Sequence, residues 1–260
     1  MNVDEQLRDC RKDANVLVIN ESSDARSFEN KYLAIRTAEG RIYSDAELKV
    51  LPYLGFPHPN WREWGTRRKS LRILVDALKR QRARSVLELG CGNGWLSARL
   101  AEELGTANVL GVDVNLTELK QAARVFRRSN LRFACADIFS CGQLGPFDAI
   151  VAAASIQYFP DLRALLRALL ELKTVDGLIY LLDSHLYRDE TEAEAAKQRS
   201  IDYYRKLGFD AFSSNYNAHT WDALDGFSYR VLYDPSRIRN RIRTRLTPFP
   251  LHFPIVAIRR

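Results

Sequence analysis

From residue 66 onward the chain alternates short apolar runs with helical stripes, and no other feature limits its possible folds as strongly. The runs SVLEL (85–89), NVLGVDV (108–114), LRFACADIF (131–139), FDAIVAAAS (147–155) and GLIYLLDSH (177–185) read as five strands. The last is almost continuously apolar, as a strand buried on both faces must be. Between them lie helical stretches. TRRKSLRILVDALKR sets Leu71, Leu74, Val75 and Leu78 on one face, and WLSARLAEEL does the same with Leu96, Leu100 and Leu104. LTELKQAARVFRRS follows the second strand, and PDLRALLRALLELK carries Leu162, Leu165, Leu166, Leu169 and Leu170 in helical register. Strands alternating with helices require right-handed crossovers. The expected fold is therefore α/β, a doubly wound Rossmann-like sheet, mostly parallel, with helices on both faces.

The flanks follow another pattern. Residues 1–60 read as an N-terminal extension or lid, with a hairpin expected in KYLAIRTAEGRIYS (31–44) and a loop in LPYLGFPHPNW (51–61). Residues 61–260 form the main domain, with a cap inserted at about 186–222 whose first part, DETEAEAAKQRSIDYYRKL, reads as a helix. FSYRVLY and FPIVAIR, aromatic and β-branched, are the final strands.

Composition removes several function classes. In 260 residues, 46% hydrophobic and 27% charged, no run approaches the roughly 18 apolar residues of a spanning helix. MNVDEQLRDCRKDANVLVIN lacks the basic-then-apolar layout of a secretion signal, so a cytoplasmic protein without a membrane partner is expected. Cys10, Cys91, Cys135 and Cys141 form no CxxC pair and no Cys/His group with zinc spacing, and are read as reduced and structural, with no metal. The net charge of +7 is concentrated in DPSRIRNRIRTR, with Arg237, Arg239, Arg241, Arg243 and Arg245. Asp234 as N-cap and Pro235 at the first helical position suggest a short helix. It is either a solvated basic helix or a patch for phosphate-bearing substrates.

The loop after SVLEL carries the chemistry. Gly90, Gly92 and Gly94 have the spacing G-x-G-x-G, and Trp95 stands where a dinucleotide fingerprint places its third glycine. A bulky side chain there keeps a pyrophosphate from the helix N-terminus. Asp113 ends the second strand, 21 residues after Gly92, where an acid accepts hydrogen bonds from ribose hydroxyls. Asp137 ends the third strand, one strand further out, in reach of an adenine amine. One acid for ribose, one for adenine and no phosphate cradle describe an adenosine that carries something other than pyrophosphate.

Taken in order, VLELGCGNGWLSARLA, VLGVDVN, CADIF and FDAIVAAASIQYF resemble the successive motifs of the class I S-adenosylmethionine-dependent methyltransferases. The likeness covers about residues 64–184. It implies a seven-stranded sheet with the last strand antiparallel, and S-adenosyl-L-methionine as the cofactor, leaving as S-adenosyl-L-homocysteine. It also implies that Glu88 and the loop Gly90, Cys91, Gly92, Asn93, Gly94 hold the methionine part. Asp113, with Val114 and Asn115, would hold the ribose. Asp137, between Ala136 and Ile138, would hold the adenine, and Ala154 and Ile156 would floor the site beside the sulfonium.

Methyl transfer from a sulfonium needs alignment of nucleophile, methyl and sulfur, and a base when the nucleophile carries a proton. SIQYF offers Gln157 and Tyr158 as catalytic candidates, and LLDSHLY offers Asp183, His185 and Tyr187. His185 is the preferred base because its ordinary pKa suits neutral pH. Tyr187, Tyr216, His219 and Trp221 are candidates for the substrate wall, joined by Phe212, Tyr203 and Tyr204. Trp61 and Trp64 are placed to close over the cofactor. The fourth strand does not run into the [DNS]-P-P-[YF] sequence of base-amine methylases, nor into a Pro-Cys pair, nor into magnesium-holding acids. The expectation is O- or N-methylation of a small-molecule acceptor. The basic segment keeps RNA methylation open, and a non-catalytic cofactor-binding protein remains a third reading.

Overall fold

The computed structural model describes residues 10–20, 23–140 and 144–260. Cys141 and residues 1–9, on which parts of the cysteine and leader expectations rest, lie outside these. The strands are β1 Arg11–Asp13, β2 Val16–Val18, β3 Ser85–Leu89, β4 Asn108–Asp113, β5 Leu131–Cys135, β6 Phe147–Ala153, β7 Lys173–Leu182, β8 Leu186–Tyr187, β9 His219–Thr220, β10 Tyr229–Tyr233 and β11 Ile255–Ile258. The helices are α1 Ser23–Ala38, α2 Asp45–Val50, α3 Trp61–Gln81, α4 Trp95–Leu104, α5 Leu116–Val125, α6 Leu162–Glu171, α7 Glu190–Lys206 and α8 Ile238–Arg245.

The main sheet has the order β1-β2-β5-β4-β3-β6-β7-β11-β10. Strands β2 through β7 pair in parallel, and β11 runs antiparallel between β7 and β10. The chain leaves β3 toward β4 and β5, then returns to its other side for β6 and β7. The switch point, where such sheets bind ligands, therefore lies at the carboxyl end of β3. Alternate residues of each strand feed two cores. Val86, Val109 and Val151 join Leu74, Leu78 and Leu96 on one face. Leu87, Leu110 and Ile150 join Leu165, Leu166 and Leu169 on the other. Helix α6 begins where Asp161 accepts the amide of Ala164 at 2.9 Å, satisfying one of the unpaired first-turn donors.

Two expectations are corrected. The sheet has nine strands, not seven, because a hairpin at residues 11–18 adds an edge: Leu17 and Val18 pair with Ala134 and Cys135 of β5. These residues are buried, and covering them favours the addition. Residues 31–44 form no hairpin. Their first part continues α1, whose Phe28, Tyr32 and Ile35 follow helical spacing and pack with Phe212 and Tyr204. The short KYLAIR run could be read at either period, and the aromatic partners far along the chain decide it. Ser44 instead starts α2 in a reciprocal capping box with Glu47.

The segment 51–60 is a loop as expected, and Trp61 and Trp64 belong to the first turns of α3. The basic segment is helical only from Ile238, after Asp234 takes the amide of Ser236 at 2.8 Å in a tight turn. Among the described residues no helix is long and apolar enough to cross a membrane.

Candidate functional site

The glycine loop joins β3 to α4 at the switch point. Gly90, Gly92 and Gly94 have φ of +69°, +50° and +74°, a region that side chains with a Cβ rarely adopt. Space demands glycine as well. A Cβ on Gly90 would sit 2.6 Å from that of Ser155, and one on Gly94 within 2.7 Å of Phe133 and Ala122. The loop is tied to β4, with the amides of Gly90 and Cys91 donating to Val112 O at 2.8 and 3.1 Å.

Asp113 completes that tie. Its Oδ2 accepts the Gly92 amide at 2.7 Å, and its Oδ1 accepts the Asn115 amide at 2.8 Å. Asn115, almost fully buried, caps α5 through the Glu118 amide at 3.0 Å. Asp137 likewise organises its own turn, accepting the Phe139 amide at 3.1 Å and the Ser140 hydroxyl at 3.3 Å. Ala136 and Ile138 are buried on either side of it. Each carboxylate oxygen has two acceptor directions, so the two amides on Asp113 leave it room for a ligand.

Three recesses follow the carboxyl ends of the strands. The first, about 310 Å³, is bounded by Val114, Thr117 and Asp137 with Asn20 and Glu29 from the N-terminal extension. The second, about 100 Å³, lies against Glu88, Gly90, Gly92, Asn93 and Trp64. The third, about 510 Å³, opens beyond Ala154 and Ile156 under the cap. Ala154 divides the second from the third and has a φ of +52°, a strained backbone at a junction of sites.

The second recess has unusual electrostatics. Glu88 is 2% exposed, takes the hydroxyl of Ser97, and is pushed up to about 8 mainly by burial. Glu118 is pushed up to about 8 by burial and by the neighbouring charge of Asp113. Trp64 donates its indole N–H to Tyr43 at 2.9 Å and meets Trp95 edge-on at 5.2 Å. Trp95 therefore serves the wall of the recess as well as the start of α4. Cys91 is buried beneath the loop, and its thiol is pushed up by burial.

The third recess gathers most of the substrate and catalytic candidates. His185 stacks on Tyr187 at 5.3 Å and meets Phe253 edge-on at 4.6 Å, and burial lowers its pKa. Tyr216 is pushed up to about 12, mainly by burial. Tyr158 is wedged between Phe28 and Tyr32 of α1 and Phe212 of the cap. His219 also lines the recess, but its Nε2 lies 3.0 Å from Ile156 O, so that ring atom is engaged. Gln157 is a fastener: its amide donates to Ala154 O at 2.7 Å and accepts the Ser184 hydroxyl at 3.2 Å. Trp221 is not brought in. It packs beside Tyr229 against the opposite core.

Several residues at these recesses were not singled out from the sequence. Arg36, Arg41 and Arg67 reach the second and third recesses from α1, the loop after it and α3. Tyr32 and Tyr43 wall the second, and Glu118 lies beneath Gly92. No motif marks them, because their positions depend on how the extension crosses the sheet. Among the described residues no group of three or more His, Cys, Asp and Glu is arranged to hold a metal ion.

Comparison with known proteins agrees with this geometry. A family model described as "Methyltransferase domain" matches residues 86–177. A malonyl-[acyl-carrier protein] O-methyltransferase of Acetivibrio thermocellus is 29% identical over 36% of this chain and 33% of its own length. An uncharacterized methyltransferase of Mycobacterium bovis is 34% identical over 41% of this chain and 53% of its own. The chain thus spans a third to about half the length of these relatives. The crystal structure of the plantazolicin methyltransferase BpumL, with a pentazolic analogue and S-adenosylhomocysteine, superposes with a TM-score of 0.53. It is 15% identical, and the alignment covers 90% of this chain and 98% of that one, a likeness of fold. Residues 86–177 thus match a methyltransferase domain, and they lie in a sheet whose strand order reverses at β3.

Proposed function

We propose that the protein binds S-adenosyl-L-methionine across the first two recesses and methylates a small-molecule acceptor, on oxygen or nitrogen, held in the third. The observation that carries this reading is continuity. Ala154 borders both the recess of the glycine loop and the recess under the cap, so a ligand in one meets a ligand in the other there. Glu88, the loop from Gly90 to Gly94 and Trp64 would hold the methionine part. Asp113 would hold the ribose, and Asp137 with Val114 the adenine. When bound, the cofactor supplies an activated methyl group, and the chain's task is alignment.

The N-terminal extension acts as a lid in this reading. Glu29 of α1 accepts the Thr117 amide at 2.8 Å, and Phe28 and Tyr32 pack on Tyr158, so α1 bridges the adenosine side and the cap. Isothermal calorimetry with S-adenosylmethionine tests the first claim, and mass detection of methylated product in a metabolite panel tests the second. An absence of cofactor binding would overturn both.

Two buried acids predict a pH dependence. An acid whose pKa is raised by folding holds its proton more tightly in the folded state. Its stabilisation is complete below the unfolded value and is lost as pH rises through the folded one. For Glu88 and Glu118 that window runs from the ordinary carboxylate range up to about 8. The unliganded protein will therefore melt at progressively lower temperature between about pH 5 and pH 8, and the fall will level off above that. Glu88→Gln will flatten the slope, because the amide cannot ionise. Bound cofactor, with its ammonium and sulfonium charges, will flatten it too, since nearby cations favour the carboxylate. Melting curves with and without cofactor check this, and identical slopes would refute the assignment.

A further inference from the structure

Asp183 follows β7 directly, lines the recess under the cap, and has a φ of +53°. Its Oδ2 accepts the Ser70 hydroxyl at 3.0 Å and lies 3.9 Å from Arg67. Its Oδ1 is buried and has no hydrogen-bond partner. Buried polar atoms are almost always paired, and strained backbone persists where a site requires it. Both exceptions meet at one residue, on the wall of an open cavity and one strand from Ala154, whose amide bonds to Leu182 O at 3.0 Å.

We propose that Asp183 Oδ1 is the proton acceptor for the methyl acceptor, and that the acceptor is accordingly an amine or a hydroxyl compound rather than a free carboxylic acid. The proposal rests on the methyltransferase reading and narrows its substrate class. A nucleophile with an N–H or O–H supplies the donor that Oδ1 lacks. As its lone pair forms the bond to the methyl carbon, the carbon–sulfur bond breaks toward sulfur and the sulfonium becomes a thioether. The nucleophile's proton passes to the Asp183 carboxylate.

A carboxylate acceptor fits the wall poorly. It has no proton to give and would be repelled by Asp183. The arginines that might attract it already face acids. Arg36 and Arg41 lie 3.0 and 3.7 Å from Glu39, and Arg41 and Arg67 lie 3.0 and 3.1 Å from Glu63. Much of the remaining wall is aromatic, with Tyr158, Tyr187, Tyr204, Tyr216 and Phe253 beside polar Gln157 and Asn217, which suits a flat ring or an ammonium group.

His185 is the rival base. Its ring is packed against Tyr187 and Phe253, and it is the third residue past β7, whereas Asp183 is the first.

The test uses the full chain saturated with S-adenosylhomocysteine and two probes of matched skeleton, tyramine and 4-hydroxyphenylacetate, in ligand-observed NMR titrations. Tyramine is expected to bind at least 10-fold more tightly than the acid, and Asp183→Asn to lose at least 10-fold for tyramine only. With S-adenosylmethionine, amines and phenols are expected to be methylated, and Asp183→Asn to lower the rate at least 100-fold. Asp183→Glu, which keeps the carboxylate, should restore part of both. Unchanged S-adenosylhomocysteine affinity in the variants shows that they fold.

Equal or tighter binding of the acid, wild-type tyramine binding by Asp183→Asn, or methylation of carboxylic acids alone overturns the proposal. So does an absence of binding and transfer with both probes while the cofactor product binds. If the wild-type chain fails to bind S-adenosylhomocysteine, the methyltransferase reading itself fails.

Discussion

Asp113→Ala will weaken S-adenosylmethionine binding by about 100-fold or more. The carboxylate already holds the Gly92 and Asn115 amides at 2.7 and 2.8 Å, and its remaining acceptor directions are those proposed for the ribose hydroxyls. Hydrogen bonds to a charged group contribute roughly 1.5–3 kcal/mol each, and a 100-fold loss corresponds to about 2.7 kcal/mol. One lost ribose bond of ordinary strength would nearly suffice. The variant also releases the glycine loop from β4, so the methionine side should weaken together with the ribose side. Asp113→Asn retains one acceptor but turns an N–H toward one of the two amides, and its affinity should fall between the others. Calorimetric affinity of Asp113→Ala within threefold of wild type would remove Asp113 from the site.

Gly94→Ala will destabilise the protein far more than Gly208→Ala, although both glycines have positive φ, +74° and +78°. The left-handed backbone costs a residue with a Cβ about 1–2 kcal/mol at either site. At Gly208, which ends α7 with the Phe209 amide on Tyr204 O, nothing lies within 4 Å of the added atom, so that is nearly the whole cost. At Gly94 the methyl would sit 2.6–2.7 Å from Phe133 and Ala122, which are fixed in the core. Overpacking of this kind adds about 1–3 kcal/mol, and relief by moving α4 would pull Trp95 from Trp64. Urea titration should give a loss of about 2–5 kcal/mol for Gly94→Ala and about 1–2 kcal/mol for Gly208→Ala. Equal losses would mean that the loop can shift away from β5.

The strands and helices between residues 66 and 184 were legible because each buries one face or both, and burial leaves a period in the sequence. Residues 31–44 were not. Phe28, Tyr32 and Ile35 find their partners in Phe212 and Tyr204, more than 150 residues away, and nothing local discloses that contact. The hairpin at residues 11–18 is too short for alternation to show, and only pairing with β5 makes it a strand pair. Gln157 follows the fourth strand, where the sequence places a catalytic candidate, and Ser184 and Ala154 O take both ends of its amide. Asp183 is one of five candidates in the sequence, but its unpartnered oxygen is a property of packing.

The sequence suffices for the doubly wound fold, the glycine loop after β3 and the acids at the ends of β4 and just past β5. Those depend on short-range relations: strand, turn, helix, and an acid at a strand end. Only the folded chain settles which residues wall the recess proposed for the methyl acceptor. That recess is walled by α1, α3, the cap and the loop before β11, and each supplies side chains whose neighbourhood forms only when distant segments fold over the sheet.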